Sequence, residues 1–330
     1  MTAAPTDFIL LVGFLGSGKT SLLVDWLALP EAADTAVIVN EEGEIGVDGA
    51  ILAEGGTVPM AMLDNGCVCC SLTSDLVFTI RALVDARAQS GQPPFKRIVL
   101  EGSGLSRPGP ILRSLTPLAP LRLAVQVVAT CDASRAVAQA AEFDEVAAQL
   151  AAAGTIVVTK PDLDDPAAAL RVASAVNPLA RIVMEPDRIA RARAAFLPQP
   201  GAAWSGLDRD PSSPAAPHPR ITVLRLGFTE AASWEDRLDA MEDLAAFCGE
   251  RLLRVKGFLR RPGLEAPLLV QAVGTLFAPP MPIPAARDAA EGLVVILRDL
   301  GATELRAGLG AAPVHITAFR AAPALTCAGA

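Results

Sequence analysis

The amino-acid sequence predicts an α/β protein whose first domain is a doubly wound, mainly parallel sheet and whose second, smaller domain is α+β. Short apolar runs alternate with helix-like stretches rich in Ala, Leu and Arg over the first half of the chain, which is typical of a parallel sheet wrapped by helices. A proline-rich stretch then separates this half from the remainder. Ligands of such a sheet bind at the carboxyl ends of its strands.

The strands of the first domain are predicted from apolar runs bounded by turn residues. A helix-like stretch, Ser21–Leu29, follows the first of them. The predicted strands are Phe8–Val12, Ala36–Asn40, Arg97–Leu100, Leu123–Ala129, Thr155–Thr159 and Arg181–Met184.

Prolines cluster between Glu185 and about Arg220 and predict an irregular connector. We therefore expect a first domain at 1–190, a Pro/Ala-rich linker at 191–219 and a second domain at 220–330. In the second domain, Ser233 with Asp236 three residues later indicates a helix start. The other predicted elements are strands at Ile221–Phe228, Leu252–Leu259, Leu268–Phe277 and Leu293–Arg298, and a short helix near Thr303–Leu309.

Composition excludes several classes of protein. The 330 residues are 52% apolar and 19% charged, as expected for a folded chain with a large core. The apolar runs are far shorter than the roughly 20 residues of a membrane helix, and the N-terminus has no basic region ahead of an apolar segment. We expect no membrane partner and a cytoplasmic location. A net charge of −8 without a basic run argues against a nucleic-acid partner.

A phosphate-binding loop follows the first predicted strand. The segment Gly13–Thr20 matches G-x-x-x-x-G-K-[ST], the P-loop pattern, and leads into a helix. Glycines allow backbone N–H groups to approach phosphates, the lysine adds a mobile charge, and the final hydroxyl can bind Mg²⁺. The predicted phosphate-binding residues are Gly13, Gly16, Ser17, Gly18, Lys19, Thr20 and Ser21.

A second nucleotide motif follows the strand predicted at Arg97–Leu100. Glu101 stands at its end, where a carboxylate can bind Mg²⁺ together with Thr20. Gly104 comes three residues later, and its N–H can point at the γ-phosphate. We therefore assign catalytic roles to Lys19, Thr20 and Glu101, although an ordinary strand followed by a glycine turn would give the same pattern.

The base is indicated by Thr159, Lys160 and Asp162, which end a buried strand in the pattern [NT]-K-x-D. An aspartate there can accept hydrogen bonds from N1 and N2 of guanine, while the lysine stem packs along the base. Adenine offers no matching donors, so the motif favours GTP and argues against an ATP-dependent kinase.

Three cysteines, Cys67, Cys69 and Cys70, lie within four positions between these nucleotide motifs. They are too close to pair with one another, and a cytoplasmic protein keeps thiols reduced. Metal binding, redox chemistry and burial are the alternatives, and metal binding is favoured because thiolates select Zn²⁺ or similar ions. Cys131 and Cys248 are interpreted as core residues, and Cys327 as part of a loose tail.

Together these motifs resemble the CobW-like GTPase family, which is related to the CobW/HypB/UreG type of P-loop GTPase. The resemblance also rests on Asn40–Asp48 and, for a CobW C-terminal domain, on Leu253–Phe258. It implies a P-loop GTPase domain, GTP with Mg²⁺, and a transition metal, zinc or cobalt. It also implies that Glu41, in the switch segment, joins Cys67, Cys69 and Cys70 as a metal ligand.

The resemblance implies a metallochaperone that couples GTP hydrolysis to metal delivery. A client metalloprotein and a second copy of the chain are the candidate protein partners. We expect slow intrinsic hydrolysis because Leu105 stands where many GTPases carry a water-orienting glutamine. The alternative is a regulator in which GTP or GDP occupancy, without significant turnover, activates a metalloenzyme.

Overall fold

The computed structural model describes residues 5–40, 59–63, 71–197 and 218–319, with the side chains of residues 62 and 71–74 left aside. The first sheet has seven parallel strands: β1 (Asp7–Gly13), β2 (Thr35–Asn40), β3 (Met60–Leu63), β4 (Arg97–Glu101), β5 (Ala124–Asp132), β6 (Thr155–Thr159) and β7 (Arg181–Val183). Their order in the sheet is β3-β2-β4-β1-β5-β6-β7. The strand order reverses beside β1, so the P-loop leaves the sheet at this switch point.

The helices of this domain are α1 (Lys19–Leu27), α2 (Ser71–Gln89), α3 (Pro108–Ser114), α4 (Ala136–Glu142), α5 (Asp144–Ala152), α6 (Pro166–Val176) and α7 (Arg188–Phe196). Local sequence explains several of their starts. Asp165 caps α6 by accepting a hydrogen bond from the N–H of Ala167, and Asp187 does the same for α7 with Ala190. Helix α7 lies inside the proline-rich stretch from Glu185 that was predicted to be an irregular connector, so this prediction was wrong for residues 188–196.

Both faces of the parallel sheet are buried, as a doubly wound fold requires. Along β1, Phe8 and Leu10 belong to the core on one face. Ile9 and Leu11 belong to the core on the other face, together with Trp26 of α1. The predicted fold class is therefore confirmed for this domain.

The second domain is a mainly antiparallel sheet covered by two helices. Its strands are β8 (Ile221–Phe228), β9 (Leu252–Leu259), β10 (Leu268–Val273), β11 (Leu276–Phe277), β12 (Met281–Pro282), β13 (Gly292–Arg298) and β14 (Val314–Ala318). They run in the order β11-β10-β9-β13-β8-β14, with β12 paired to β10. Helices α8 (Trp234–Cys248) and α9 (Ala302–Gly308) pack on one face.

The other face of this sheet packs against the first domain. Ile296 of β13 and Ile221 of β8 are buried in the core that includes helices of the first domain. At the start of α8, the Ser233 side chain accepts a hydrogen bond from the N–H of Asp236 at 3.1 Å. The Asp236 carboxylate accepts one from the N–H of Ser233 at 2.7 Å, so the predicted capping box is confirmed.

Some predicted boundaries were wrong. The run Leu268–Phe277 was expected as one strand, but Gly274 has a φ of 57° and turns the chain between β10 and β11. Strand β5 continues to Asp132 instead of ending at Ala129. The short strands β3 and β14 were not predicted. In the described part of the chain, no helix is both long and apolar enough to span a membrane.

Candidate nucleotide site

The P-loop joins β1 to α1 through glycines with positive φ. Gly16 and Gly18 have φ of 70° and 88°, which favour glycine. Gly13 is required for space as well, because a Cβ there would lie 2.0 Å from the hydroxyl of Thr130. Helix α1 has no side-chain cap at Gly18, so the N–H groups of its first turn are directed at any bound anion.

Two predicted P-loop side chains point in different directions. The ammonium of Lys19 lies over the loop and donates to the carbonyls of Gly13 at 2.9 Å and Phe14 at 3.4 Å. The Ser17 side chain is buried and its hydroxyl lies 2.6 Å from that of Thr130 on β5. Ser17 therefore fixes the loop to the sheet, whereas Lys19 carries the charge suited to phosphate.

A carboxylate and a hydroxyl meet beside the loop. Thr20 donates to Oε1 of Glu101 at 2.6 Å, because β4 is paired with β1 and brings Glu101 opposite Leu11. Glu101 is buried, with 4% of its surface exposed. Hard oxygen ligands of this kind suit Mg²⁺, which typically takes one or two protein oxygens plus phosphates and water. The residues present therefore fit magnesium.

The segment after β4 packs against the P-loop. A Cβ on Gly104 would lie 2.4 Å from the side chain of Leu15, so only glycine allows this approach. Its carbonyl accepts a hydrogen bond from Gln149 of α5 at 3.0 Å. Arg107 lies nearby, but its guanidinium is paired with Glu145 at 2.7 Å. This ion pair holds the pKa of the Glu145 carboxyl below its usual range.

The candidate base-binding residues lie at the end of β6. The Thr159 hydroxyl donates to the carbonyl of Ser17 at 2.7 Å, so it supports the P-loop backbone. Lys160 has a φ of 51° and its ammonium donates to the carbonyl of Gly16 at 2.6 Å. Asp162 is exposed, two residues further along the loop. The structure thus brings Thr159 and Lys160 directly to the P-loop.

Sequence reasoning missed Asp132, the last residue of β5. Its carboxylate pairs with Lys160 at 2.7 Å and accepts hydrogen bonds from the N–H and hydroxyl of Ser134 at 3.0 Å and 2.7 Å. Burial disfavours its charge, but these donors hold the pKa of Asp132 below its usual range. Its position at a strand end, on the edge that carries the ligands, is the signal that could have found it.

The predicted transition-metal ligands Cys67, Cys69, Cys70 and Glu41 lie outside the described residues. Within the described ranges no group of three or more His, Cys, Asp or Glu side chains could hold a metal ion. Cys131 and Cys248 are buried, as predicted, and burial raises the pKa of their thiols to about 12 and about 11. Neither thiol belongs to a group of three or more candidate metal ligands among the described residues.

Neither histidine lies beside the P-loop: His218 is next to α4 and His315 is on β14. His218 lies 2.9 Å, through Nε2, from the carbonyl of Ala140 on α4. His315 is exposed on β14, and its ring lies where a Cβ on Gly227 would be. Cys327 lies outside the described part of the chain.

Two family models match the sequence. One describes the CobW/HypB/UreG nucleotide-binding domain and matches residues 7–183. The other describes the cobalamin synthesis protein cobW C-terminal domain and matches residues 221–312. The two matches correspond to the two domains of the structure.

Relatives of known name support the same grouping. The zinc chaperone CobW of Pseudomonas aeruginosa is 30% identical over 321 residues, covering 84% of this chain and 82% of that protein. The zinc chaperone YjiA of Escherichia coli is 36% identical over 162 residues, covering 48% of this chain and half of that protein.

Solved structures share the fold. The Zn(II)-bound YjiA GTPase from Escherichia coli has a TM-score of 0.63 at 21% identity, covering 94% of this chain and 99% of that one. A Zn(II)-bound YjiA variant, in which one glutamate and two cysteines are replaced by alanine, has a TM-score of 0.67 at 23% identity, with the same coverage. The chain belongs to the CobW/HypB/UreG family of P-loop nucleotide-binding proteins and carries a CobW C-terminal domain.

Proposed function

We propose that this protein is a GTPase metallochaperone, which binds and slowly hydrolyses GTP and delivers a transition metal, zinc or cobalt, to a client metalloprotein. The observation that supports this most is the convergence of Thr20, Glu101 and Lys160 around the P-loop, at the carboxyl edge of one sheet. Membership in a GTPase family and the names of the zinc-chaperone relatives add to it. We propose that the protein acts in the cytoplasm.

Phosphates are held by the loop and the start of α1, through Gly13, Gly16, Ser17, Gly18, Lys19, Thr20 and Ser21. Lys19 neutralises charge on the outer phosphates, and the N–H of Gly104 meets the γ-phosphate. Thr20 and Glu101 hold Mg²⁺, which when bound neutralises the charge that develops on the phosphates. Ser17 contributes by fixing the loop to the sheet, because its hydroxyl is hydrogen-bonded to the hydroxyl of Thr130.

Guanine is read at the end of β6. Asp162 is exposed and carries the carboxylate that accepts from N1 and N2, while the stem of Lys160 packs along the base. Thr159 and Asp132 keep this segment in place through Ser17 and Lys160. A guanine carboxylate contact of this kind disfavours ATP, because adenine would leave the carboxylate without its donors.

Slow hydrolysis follows from the groups near Gly104. Leu105 is 46% exposed and has no polar atom to orient an attacking water. Arg107, the nearest guanidinium in sequence, is engaged with Glu145. Since neither Leu105 nor the paired Arg107, the described groups beside Gly104, supplies such assistance, the rate belongs nearer the unassisted end of GTPase rates than the roughly 10 s⁻¹ of assisted ones.

The transition metal is assigned to Cys67, Cys69, Cys70 and Glu41. Glu41 directly follows Asn40, the last residue of β2, and the cysteine segment joins β3 to α2. Asn40 and Leu63 are paired in the parallel register, so the two segments leave the sheet at adjacent strand ends. This supports one shared site, close to Glu101 on the next strand, β4.

Leu105, which cannot orient an attacking water, also favours a second candidate function that does not depend on turnover. If turnover is negligible, the protein would act as a regulator that activates a metalloenzyme according to GTP or GDP occupancy. Measured hydrolysis in the presence and absence of metal separates the two, because only the metallochaperone couples turnover to the metal.

The deciding experiment measures GTP affinity and single-turnover hydrolysis by the reduced protein, with no added metal, with Zn²⁺ and with Co²⁺. A metal that prefers the GTP state must tighten GTP binding by the same factor, by linkage. Equal GTP affinities under all three conditions would refute metal gating and leave the occupancy regulator.

The same titrations assign the metal ligands. Replacing Cys69 and Cys70 together by Ser should lower Zn²⁺ affinity by orders of magnitude and remove the thiolate-to-Co²⁺ absorption. Cys248→Ala is the matched control, because that thiol is buried in the second domain. The spectrum matters because zinc is bound in a YjiA variant that lacks a glutamate and two cysteines. Metal affinity alone would not identify the site.

A further inference from the structure

Helix α5 is the element that joins the segment around Gly104 to the second domain. Its side chain Gln149 is 1% exposed and donates from one Nε2 to two carbonyls, of Gly104 and of Ser106, both at 3.0 Å. Gln149 therefore holds the backbone of the two residues that flank Leu105 in the sequence. Buried amide groups of this kind fix the backbone, because a carbonyl left without a donor in the interior is costly.

Two further contacts attach α5 and the residue before it to the nucleotide side. Glu145, one turn before Gln149, pairs with Arg107 at 2.7 Å. The ring of Phe143, the residue before α5, packs on Phe14 of the P-loop with 4.5 Å between centroids. Ser106 itself donates its N–H to the carbonyl of Ser103 at 3.1 Å, which closes a tight turn. The segment 104–107 is thus bound to α5 at several points.

Both ends of α5 also contact the second domain. Asp144, its first residue, pairs with Arg220 and, at 3.4 Å, with Arg298 of β13. The carbonyl of Ala152, its last residue, accepts a hydrogen bond from Arg254 of β9. Arg254 is 6% exposed, so this contact is protected from water.

These contacts have a mechanical consequence. A helix of nine residues is a rigid rod about 14 Å long, so its two ends and its middle move together. A displacement of the second domain must either break the arginine contacts at Asp144 and Ala152 or move Gln149 relative to Gly104.

We propose that Gln149 is a positioning residue for the γ-phosphate segment and that α5 transmits the position of the C-terminal domain to it. This rests on the proposed GTPase function. A client or metal that shifts the C-terminal domain would then change the hydrolysis rate without touching the nucleotide. Gln149 does not contact the reacting atoms; it acts through Gly104 and Ser106.

The first test is Gln149→Met, which keeps the length of the side chain and removes both donors. We expect single-turnover GTP hydrolysis to fall by about tenfold, which corresponds to about 1.4 kcal/mol of lost transition-state stabilisation. GDP affinity should be unchanged, because GDP has no γ-phosphate for this segment to meet. Gln139→Met, on neighbouring α4, is the matched control; the Gln139 side chain makes no hydrogen bond within the described residues.

The result also separates positioning from a merely structural role. Equal losses in GDP affinity and hydrolysis, or hydrolysis equal to that of the wild type, would overturn the assignment. If Gln149→Met does not fold, Asp144→Asn tests the same helix from its partly exposed end. A wild-type protein that hydrolyses no GTP would refute the proposed function itself, an outcome distinct from any behaviour of the variants.

The second test addresses transmission. Arg298→Gln removes one of the two positive charges that pair with Asp144, and we expect it to change the hydrolysis rate. A double-mutant cycle with Gln149→Met should then show coupling, because both act through α5. Arg287→Gln is the control, since Arg287 pairs with Glu265 on the exposed surface of the same domain. Strict additivity of the Arg298 and Gln149 effects would overturn the transmission role of α5.

Discussion

The ammonium of Lys160 lies 2.7 Å from the carboxylate of Asp132, where β5 and β6 end side by side. The same ammonium donates to the carbonyl of Gly16 in the P-loop at 2.6 Å. Asp132 is almost completely buried, so it is a fixed anchor and not a surface partner. One lysine therefore links the end of β6, the proposed base-recognition segment, to the P-loop, and Asp132 fixes the position of that lysine.

The first prediction concerns this anchor. Asp132→Asn keeps the shape but removes the charge that holds Lys160, and we expect affinity for GTP and for GDP to fall equally, by about tenfold. Both should fall because base recognition is common to the two nucleotides. Isothermal titration with each nucleotide measures this. The exposed Asp239→Asn serves as control, and a loss confined to GTP would contradict the assigned role.

The second prediction tests the base contact. Asp162 is exposed, and its carboxylate makes no hydrogen bond or ion pair to the rest of the described chain. Asp162→Asn should weaken GTP and strengthen xanthosine triphosphate, whose base offers an acceptor where guanine offers a donor. Competition between the two nucleotides gives the ratio directly. Equal losses for both would show that Asp162 does not read the base.

The third prediction concerns Glu101, which accepts a hydrogen bond from Thr20. Glu101→Gln should lower single-turnover hydrolysis by about a hundredfold, comparable to losing one strong transition-state contact. The Mg²⁺ concentration needed for half-maximal rate should rise, because an amide oxygen is a weaker ligand for a hard cation. Glu142→Gln, an exposed carboxylate on α4, is the control. An unchanged Mg²⁺ requirement would exclude Glu101 as part of the magnesium site.

The parts of the site that lie close together in sequence were predictable. The residues Gly13–Thr20 and Thr159–Asp162 are short continuous segments whose residue types follow from the chemistry of phosphate and guanine. The end of β4 at Glu101 could also be placed, because apolar strands followed by a carboxylate indicate the ligand edge.

The supporting residues could not be predicted in the same way. Gln149 lies 45 residues from Gly104, and Asp132 lies 28 residues from Lys160. Each reaches its partner only after the sheet has formed, so neither belongs to a local pattern. The inward direction of the Ser17 and Thr159 side chains also depends on β5. The hydroxyl of Thr130 is the partner of Ser17, and the carbonyl of Cys131 accepts a hydrogen bond from Thr159.

Two of the edge strands, β3 and β14, were missed for a related reason. Strand β3 has only four residues and β14 has an exposed, mixed composition, so neither shows the long apolar run of a central strand. Pairing with β2 and β8 defines them. Central strands such as β1 and β6 are buried on both faces and were readily identified.

The last prediction concerns Lys256, in the middle of β9. It is 3% exposed and forms no ion pair with the described residues. Burial, together with the neighbouring positive charge of Arg254, lowers the pKa of its ammonium to about 7. Its cross-strand neighbours, Val294 and Gln271, carry no charge that would stabilise it.

The sign of the pH effect follows from these values. In the unfolded chain the ammonium keeps its proton up to its usual value of 10.5, whereas in the native protein it loses it near pH 7. Between these values the unfolded state binds one more proton, so the free energy of unfolding rises with pH, by at most ~1.4 kcal/mol per pH unit. The contribution is lost as pH falls through about 7.

Denaturant unfolding of the wild type and of Lys256→Met between pH 7 and 8.5 measures this contribution. We expect the free energy of unfolding of the wild type to increase relative to the variant over this range. Cys131 and Cys248 are present in both proteins, so the titration of their thiols in the unfolded chain, which begins near pH 8.5, cancels in this comparison. Lys96→Met, at a surface position, should parallel the wild type. Identical slopes for wild type and Lys256→Met would show that the buried ammonium keeps an ordinary pKa.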